Sequence, residues 1–175
     1  MVSTWSVEWK LDLNGPKSEA AYFTTWTKEY GWKPEIFING EPISYTATPR
    51  LLGTTLDKSL TFETHTTNVS KSASKACSMI SALAHSNYGW RKPYLVTVYH
   101  SMVKSKMDFA GPAWQGNTCH IDKLEVVQNK ALRLITGQFK DSPLEALRAE
   151  SGVPSFQTHV ERNLLISKEK ALRLD

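Results

Sequence analysis

The spacing of apolar residues changes after Asp57, and this change constrains the fold more than any other feature of the sequence. From there on, apolar side chains recur at the spacing of amphipathic helices. We predict a long helix over residues 61–85, a second that begins at Pro93 and a third that ends at Gly137. Their apolar stripes are Phe62, Val69, Ala73, Ala76, Ile80 and Leu83, then Leu95, Val98, Tyr99, Met102 and Val103, then Ile121, Leu124, Val127, Ala131, Leu134 and Ile135.

Two further helices complete this region. Ser142-Pro143-Leu144-Glu145 matches a capping box that would open a fourth helix, which Gly152 would close. Pro154 and Ser155 introduce a last helix, while residues 111–118 are predicted to form a loop between the second and third helices. The helices carry apolar stripes and not apolar surfaces all round, so we expect a helical bundle with polar outer faces.

Short strands are predicted before Asp57. Residues 20–25 and 51–56 each have the composition of one strand. Residues 35–45 predict a hairpin around Asn39-Gly40, with Pro42 on an outer strand where its missing N–H does no harm. The expected fold class is therefore α+β, with a small hairpin-containing part over residues 1–60 and a mainly helical part over residues 61–175.

Charge is distributed unevenly along the chain, whose formal net charge is +4. Residues 61–140 hold ten basic and four acidic side chains, whereas residues 1–60 hold six and seven and residues 141–175 hold five and six. A basic middle segment favours a polyanionic partner. The alternative is a lysine-rich surface that only keeps the bundle in solution.

The candidate phosphate contacts lie on two of the predicted helices. Helical spacing places three cations of the third helix close to one face, away from its apolar stripe, and two of the first helix one turn apart. Point charges and hydrogen-bond donors on such faces suit contacts to a nucleic-acid backbone. The candidates are Lys71, Lys75, Lys123, Lys130 and Arg133, with Gln128 and Asn129 as nearby donors. Trp90 and Trp114, at helix–loop junctions, are expected to fill the core and not to stack on bases.

No self-contained catalytic or metal site is predicted. The sequence has no glycine-rich phosphate loop, no nucleophile elbow and no pair of histidines at metal-ligand spacing, and it has two cysteines, Cys77 and Cys119. It has no run of about 18 apolar residues and no signal-peptide pattern at its start, so we expect an intracellular protein, nuclear or cytoplasmic, that is neither secreted nor bound to a membrane. No small-molecule substrate is expected.

Four stretches, in order, resemble the reverse transcriptases of non-LTR (LINE-type) retrotransposons. Residues 9–19, with Leu13-Asn14-Gly15-Pro16-Lys17-Ser18-Glu19, resemble an element of the polymerase palm that follows the catalytic aspartates. Residues 51–65 are similar to the primer grip and the start of the thumb. Residues 109–114 with 124–137, and residues 142–147 with 150–154, look like the thumb signature of the same family.

The resemblance implies specific roles. Residues 1–60 would be the end of the palm and residues 61–175 the thumb. Lys17 matches a lysine near the phosphates of the incoming nucleotide, and Leu52-Gly53 matches the primer grip. Leu51, where the family often has Tyr, and the polar Thr54-Thr55 depart from the pattern and put details of primer contact in doubt.

The family's paired aspartates, which hold the magnesium ions of the full polymerase, would precede residue 1. No Asp-Asp pair occurs in this sequence. Two-metal phosphoryl transfer needs such carboxylates to hold both ions. We therefore expect no catalytic residue, no cofactor and no autonomous polymerase activity here.

Two interpretations follow. The first is a palm–thumb fragment of an RNA-directed DNA polymerase, which would bind an RNA/DNA primer–template duplex and the rest of the polymerase chain. The alternative is a decayed or domesticated retroelement fragment that acts as a helical protein-interaction module. A continuous Lys/Arg/Ser face over residues 61–140 would favour the first, and an exposed apolar patch there would favour the second.

Overall fold

The structure, a computed structural model, describes residues 2–85 and 88–173. The chain divides into two compact units, which we call unit 1 (up to Thr64) and unit 2 (from His65). The expected α+β class, with small hairpins followed by a helical bundle, is confirmed.

Unit 1 is held together by very short elements. It contains helix α1 (Val2–Glu8), 3-10 turns at Gly15–Lys17 and Thr27–Glu29, and three separate strand pairs. The pairs are β1 (Glu19–Ala20) parallel to β4 (Ser44–Tyr45), β2 (Phe37–Ile38) antiparallel to β3 (Glu41–Pro42), and β5 (Arg50–Leu51) antiparallel to β6 (Thr54–Thr55).

The predicted hairpin around Asn39-Gly40 is confirmed. Asn39 and Gly40 have φ values of +52° and +83°, the left-handed conformation at both positions that a two-residue hairpin turn requires. Phe37 lies opposite Pro42 and Ile38 opposite Glu41. Pro42 lies in a two-stranded sheet, so the other edge of its strand faces no further strand. The missing N–H of Pro42 therefore removes no hydrogen bond to a neighbour on that edge.

Two strand predictions are wrong. The strand expected over residues 20–25 ends at Ala20, and the Thr24 amide instead donates to the Lys58 carbonyl at 2.9 Å. The single strand expected over residues 51–56 is folded back on itself, because Leu52 and Gly53 form a turn with φ values of +47° and +89°. Leucine rarely adopts positive φ, so the sequence does not predict a turn at Leu52.

Polar contacts order unit 1 more than burial does. Glu29 accepts hydrogen bonds from the Tyr22 hydroxyl at 2.8 Å and from the Thr24 hydroxyl at 3.0 Å. The Glu29 carboxylate raises the pKa of Tyr22, first through this hydrogen bond. Among the described side chains, Ala20 is the one buried apolar residue of unit 1.

Unit 2 is a helical bundle around one long central helix. Helix α6 (Thr118–Thr136), which contains the whole third predicted stripe, packs against the two helices that follow it and against the second predicted helix. Its Leu124, Ala131 and Leu132 side chains are fully buried. The helices are α2 (Glu63–Leu83), α3 (Lys92–Val98), α4 (Ser105–Asp108), α5 (Gly111–Trp114), α6 (Thr118–Thr136), α7 (Leu144–Ser151) and α8 (Phe156–Leu172).

The second predicted helix contains a π-helical segment, Tyr99–Lys104, between α3 and α4. Leu95, Tyr99, Val103 and Met107, spaced four residues apart, are therefore all buried on one side. A regular α-helix would rotate such a row away from the core, and the wider π turn offsets that rotation. Met102, predicted to be apolar core, is 45% exposed for this reason.

The ends of the helices follow the sequence in most places. Gly137 and Gly152 terminate α6 and α7 at φ values of +70° and +69°, and Ser155 caps α8 by accepting from the Thr158 amide at 3.1 Å. The capping box predicted at Ser142 is wrong: Pro143 is the N-cap of α7, no side chain there accepts a hydrogen bond from the first turn, and the Ser142 hydroxyl instead donates to the Gln138 side-chain oxygen at 3.2 Å. The predicted loop at 111–118 contains α5.

Candidate nucleic-acid interface

The outer face of α6 carries the three predicted cations. Lys123 and Lys130 are exposed and Arg133 is half-buried, on the side of the helix opposite Leu124 and Leu132. Val126, in the middle of this face, is 69% exposed. The face is therefore cationic at both ends with one apolar side chain between them. Asp122, also exposed, adds one negative charge at its edge.

The outer face of α2 carries Lys71 and Lys75, both exposed. The buried face of this helix holds Val69, Ala73, Ala76 and Ile80, so the two lysines point away from the core. The lysine face also includes hydroxyl side chains. The Ser78 hydroxyl, one turn nearer the C-terminus, is exposed and donates to the Lys75 carbonyl at 2.6 Å.

Helices α2 and α6 touch at a point close to one of these cations. The Cys77 sulfur lies 4.0 Å from the Val127 carbonyl oxygen, where it can act as a weak donor. Burial raises the pKa of the Cys77 thiol, and the nearby positive charge of Lys130 lowers it in part. Lys130 therefore lies at the junction of the two helices, within electrostatic reach of α2.

Gln128 does not belong to this surface. It is 1% exposed, its side-chain oxygen accepts from the Tyr99 hydroxyl at 2.8 Å, and its amide donates to the Pro154 carbonyl at 2.7 Å. Asn129 is also buried. The sequence interpretation of both as exposed donors is therefore corrected. The cause is the breadth of the buried face of α6, which packs against α3, the π-helical segment, α7 and α8.

Glu125 is a structural residue that sequence reasoning missed. Its carboxylate pairs with Arg148 of α7 at 2.7 Å and accepts the Phe156 and Gln157 amides at the start of α8 at 2.9 and 3.3 Å. A carboxylate at a helix N-terminus satisfies free amides and complements the helix dipole. One side chain thus ties α6, α7 and α8 together and fixes the orientation of the cationic face.

The remaining predicted contacts lie in unit 1. Lys17 ends the first 3-10 turn, where its amide donates to the Asn14 side chain at 3.1 Å and its own side chain is exposed. Leu52, 89% exposed, and Gly53 form the tip of the β5–β6 hairpin. An exposed hairpin tip presents backbone groups and one apolar side chain to a ligand. Lys17, Leu52 and Gly53 are thus in a different unit from the cations of α2 and α6.

The two tryptophans at helix–loop junctions differ. Trp114 is 3% exposed and packs edge-on against His65, with ring centroids 5.3 Å apart, so it fills the core as expected. Trp90 is 52% exposed, so the prediction of a core role is wrong for this residue. The sequence gives no signal that separates them, because both precede polar loop residues.

Within residues 2–85 and 88–173, no three His, Cys, Asp or Glu side chains converge into a group that could hold a metal ion. Across the same described ranges, no helix has both the length and the apolar composition that spanning a membrane requires.

Comparison with known proteins gives three relatives of one kind. The chain is 27% identical over 137 residues to the probable RNA-directed DNA polymerase from transposon X-element of Drosophila melanogaster. It is 28% identical over 134 and 135 residues to the RNA-directed DNA polymerases from mobile element jockey of Drosophila funebris and Drosophila melanogaster. The resemblance to non-LTR reverse transcriptases is confirmed.

The matches cover 76–77% of this chain but 14–15% of each relative, so the chain spans about one seventh of the length of these polymerases. No family model matches the sequence. No solved structure matches it either.

The stretches that resemble non-LTR reverse transcriptases can now be located in the structure. Residues 9–19 include the Gly15–Lys17 turn, and residues 51–65 run from the β5–β6 hairpin into α2. Residues 109–137 form α5 and α6, and residues 142–154 contain α7. In the α6 stretch, Glu125 and Gln128 make the contacts that hold the bundle together, while Lys123, Lys130 and Arg133 face outwards.

Proposed function

We propose that this chain is a nucleic-acid-holding segment of a non-LTR retroelement reverse transcriptase, in which unit 1 is the end of the palm and unit 2 the thumb. Unit 2 would grip the RNA/DNA primer–template duplex. The observation that carries the proposal is the pair of outward cationic faces on α2 and α6. The similarity to three RNA-directed DNA polymerases supports nucleic acid as the partner class of this surface.

The charge of the chain supports a phosphate-binding surface. Residues 64–107 contain no Asp or Glu but hold Lys71, Lys75, Arg91, Lys92, Lys104 and Lys106. Lys92 pairs with Glu150 and Lys104 with Asp108, so attraction of a polyanion to this segment would come mainly from Lys71 and Lys75 on the outer face of α2. Lysines on helix faces make point-charge contacts to phosphates without reading bases, so binding would be insensitive to sequence.

Unit 1 would contribute contacts to the primer. Leu52 and Gly53, at an exposed hairpin tip, would lie against the 3′ end of the primer strand, and Lys17 would lie near nucleotide phosphates. Catalysis requires the carboxylates that hold magnesium, and the described residues offer no such group. In this proposal the chain positions nucleic acid, and polymerisation depends on parts of the polymerase that the present sequence does not include.

Binding of a labelled RNA/DNA hybrid across a salt series tests the proposal. If Lys71, Lys75, Lys123, Lys130 and Arg133 each neutralise one phosphate, affinity should fall about 500-fold between about 50 and about 200 mM salt. Changing Lys123, Lys130 and Arg133 together to Ala should lower the slope of log affinity against log salt by about 3. Alanine favours helix, so α6 should keep its structure.

A charge-matched control uses Arg162, Lys168 and Lys170 of α8, changed together to Ala. This variant loses the same number of charges outside the proposed interface and should keep the wild-type salt slope. A wild-type chain that does not bind the hybrid at low salt, or equal losses in both triple variants, would contradict the proposal.

One observation favours a second candidate, a protein contact through α8. Leu165, Ile166 and Leu172 of this helix are 64%, 41% and 67% exposed, which is more apolar surface than a solvated helix needs to show. If Leu165→Ser and Ile166→Ser leave hybrid binding intact but abolish association with the upstream part of the polymerase, this surface serves the rest of that chain.

A further inference from the structure

The end of the loop between α2 and α3, together with the first turn of α3, carries a group of exposed aromatic rings. Tyr88, Trp90 and Tyr94 are 77%, 52% and 60% exposed, and all three lie within seven residues of one another. A cluster of large exposed aromatic side chains is typical of a surface that meets a ligand or another macromolecule. We define Tyr88, Trp90, Arg91 and Tyr94 as the aromatic loop.

The backbone that carries these rings is fixed by local hydrogen bonds. The Trp90 amide donates to the Leu83 carbonyl at the end of α2 at 2.8 Å, and the Tyr94 amide donates to the Arg91 carbonyl at 3.0 Å in the first turn of α3. A Cβ at Gly89 would lie 2.1 Å from the His85 carbonyl oxygen, so only glycine fits there. The loop is therefore anchored at both ends.

The geometry of the rings leaves faces open for stacking. Trp90 and Tyr94 stand almost perpendicular, at 82° with ring centroids 6.4 Å apart, and form two walls of a cleft of about 420 Å³ with Gly89 and Arg91. Tyr88 stacks one face on His85 at 4.1 Å and 10°. With one face covered, its 77% exposure leaves the other face available to a flat ligand.

Charge indicates which flat ligand fits. The cleft is lined by one charged side chain, the Arg91 guanidinium, and no carboxylate lines it. Within the described part of the chain Arg91 forms no ion pair, whereas the neighbouring Lys92 pairs with Glu150. Lys92 lowers the pKa of Glu150 through this contact. A free guanidinium among aromatic faces suits a ligand that has both a planar ring and a negative charge.

We infer that the aromatic loop binds unpaired nucleotides of a single strand, with bases stacked on Trp90, Tyr94 and Tyr88 and a phosphate on Arg91. Base–aromatic stacking beside a cation is the means by which proteins hold single strands without reading their sequence. The site is separate from the duplex contacts proposed for α6, and its argument does not depend on them.

The test uses fluorescence anisotropy of labelled single strands of about ten nucleotides, a length within the range that stacking sites of this kind cover. Oligouridylate and oligothymidylate serve as probes, because neither folds on itself and together they separate RNA from DNA. Trp90→Leu should weaken binding about 10-fold and Trp90→Leu with Tyr94→Leu about 100-fold, from the usual worth of one stacked base. Trp90→Phe, which keeps an aromatic face, should retain most of the affinity.

Arg91→Gln should lower the salt slope of single-strand binding by about 0.7, the loss of one phosphate contact. Trp26→Leu is the matched control, since Trp26 is 69% exposed but lies in unit 1. All these side chains are exposed, so circular dichroism should show an unchanged helical bundle.

The outcomes separate this inference from the duplex proposal. If the Trp90/Tyr94 variant loses single-strand binding while the Lys123/Lys130/Arg133 variant keeps it, the inference stands whatever happens to duplex binding. If both single strands bind the Trp90/Tyr94 variant as tightly as wild type, or if wild type binds neither, the aromatic loop is not a nucleotide site. An equal loss in Trp26→Leu would also overturn it.

Discussion

The two units of the chain are ordered by different interactions. Among the described residues, unit 2 buries twenty apolar side chains between Val69 and Val160, six of them on α6 itself, whereas the buried apolar set of unit 1 is Ala20. Unit 1 instead exposes four of the six tryptophans: Trp5, Trp9, Trp26 and Trp32 are between 50% and 69% exposed. Burial of apolar surface is the main favourable term in folding, so unit 2 has a source of stability that unit 1 lacks.

Unit 1 compensates with local polar contacts. The Glu29 carboxylate accepts hydrogen bonds from the Tyr22 and Thr24 hydroxyls. The ammonium groups of Lys33 and Lys58 lie 6.0 and 5.6 Å from the centroid of the Tyr45 ring. Contacts of this kind contribute modestly when they are exposed to water. Exposed apolar side chains in such numbers are typical of a surface that meets another protein or a ligand. Unit 2 is therefore a bundle with a buried apolar core, whereas unit 1 exposes most of its large apolar side chains.

The largest effect should come from the same substitution made in each unit. Leu124→Ala removes a fully buried side chain of α6 and should lower the free energy of unfolding by about 3 kcal/mol or more. Leu51→Ala in β5, where the side chain is 61% exposed, should cost less than about 0.5 kcal/mol. Urea unfolding followed by far-UV circular dichroism measures both. Equal losses would show that unit 1 depends on burial as much as unit 2 does.

A smaller effect should come from the buried hydrogen bonds of Gln128. Gln128→Leu keeps the side-chain size but leaves the Tyr99 hydroxyl and the Pro154 carbonyl without their partner, and should destabilise by about 2 kcal/mol. Burial raises the pKa of Tyr99 well above its usual value, so its hydroxyl stays protonated at neutral pH and remains a buried donor without an acceptor in the variant.

Combining Gln128→Leu with Tyr99→Phe should cost less than the sum of the two single changes, because the stranded hydroxyl is then absent. The folded Gln128→Leu protein should bind the RNA/DNA hybrid within about twofold of wild type, since a buried side chain makes no phosphate contact. If hybrid binding by Gln128→Leu falls as far as in the Lys123/Lys130/Arg133 variant, Gln128 contributes to the interface after all.

The sequence predicts most where one residue type determines the backbone. Asn39-Gly40 predicts its hairpin and Gly137 its helix end, because positive φ is cheap for these residues. The same logic misses the turn at Leu52, where a leucine takes positive φ. The helical stripes are recovered, but Met102 is misplaced because nothing in the local sequence marks the π-helical segment.

The candidate site is recovered less completely than the fold. Helical spacing correctly places Lys123 and Lys130 on the outer face of α6, because that face follows from the apolar stripe alone. Helical spacing wrongly places Gln128 on the exposed surface. The width of the buried face depends on how many neighbouring helices pack against α6, which spacing alone does not give. Trp90 and Trp114 are each followed by polar residues but have opposite exposures, which the tertiary packing decides.

The smallest effect should appear where unit 1 leads into α2. The Asp57 carboxylate accepts the Thr61 amide at 2.8 Å and the Thr61 hydroxyl at 2.9 Å. Partial burial raises the pKa of Asp57, but these hydrogen bonds outweigh burial and hold the pKa below its usual 3.8. A carboxyl with a lowered folded-state pKa stabilises the native contact above its usual pKa and loses that contribution as the pH falls through the lower value.

The Thr61 amide should therefore keep its NMR chemical shift down to about pH 3.8 and move as the pH falls further, when Asp57 takes up a proton. In Asp57→Asn the same amide should show no such titration. The Leu124 amide in α6 should have the same shift in wild type and variant at neutral pH, because the capping contact is local to the start of α2. If Asp57→Asn changes the chemical shift of the Leu124 amide, the contrast between the two units is wrong, because a polar contact outside the bundle would then affect the core of the bundle.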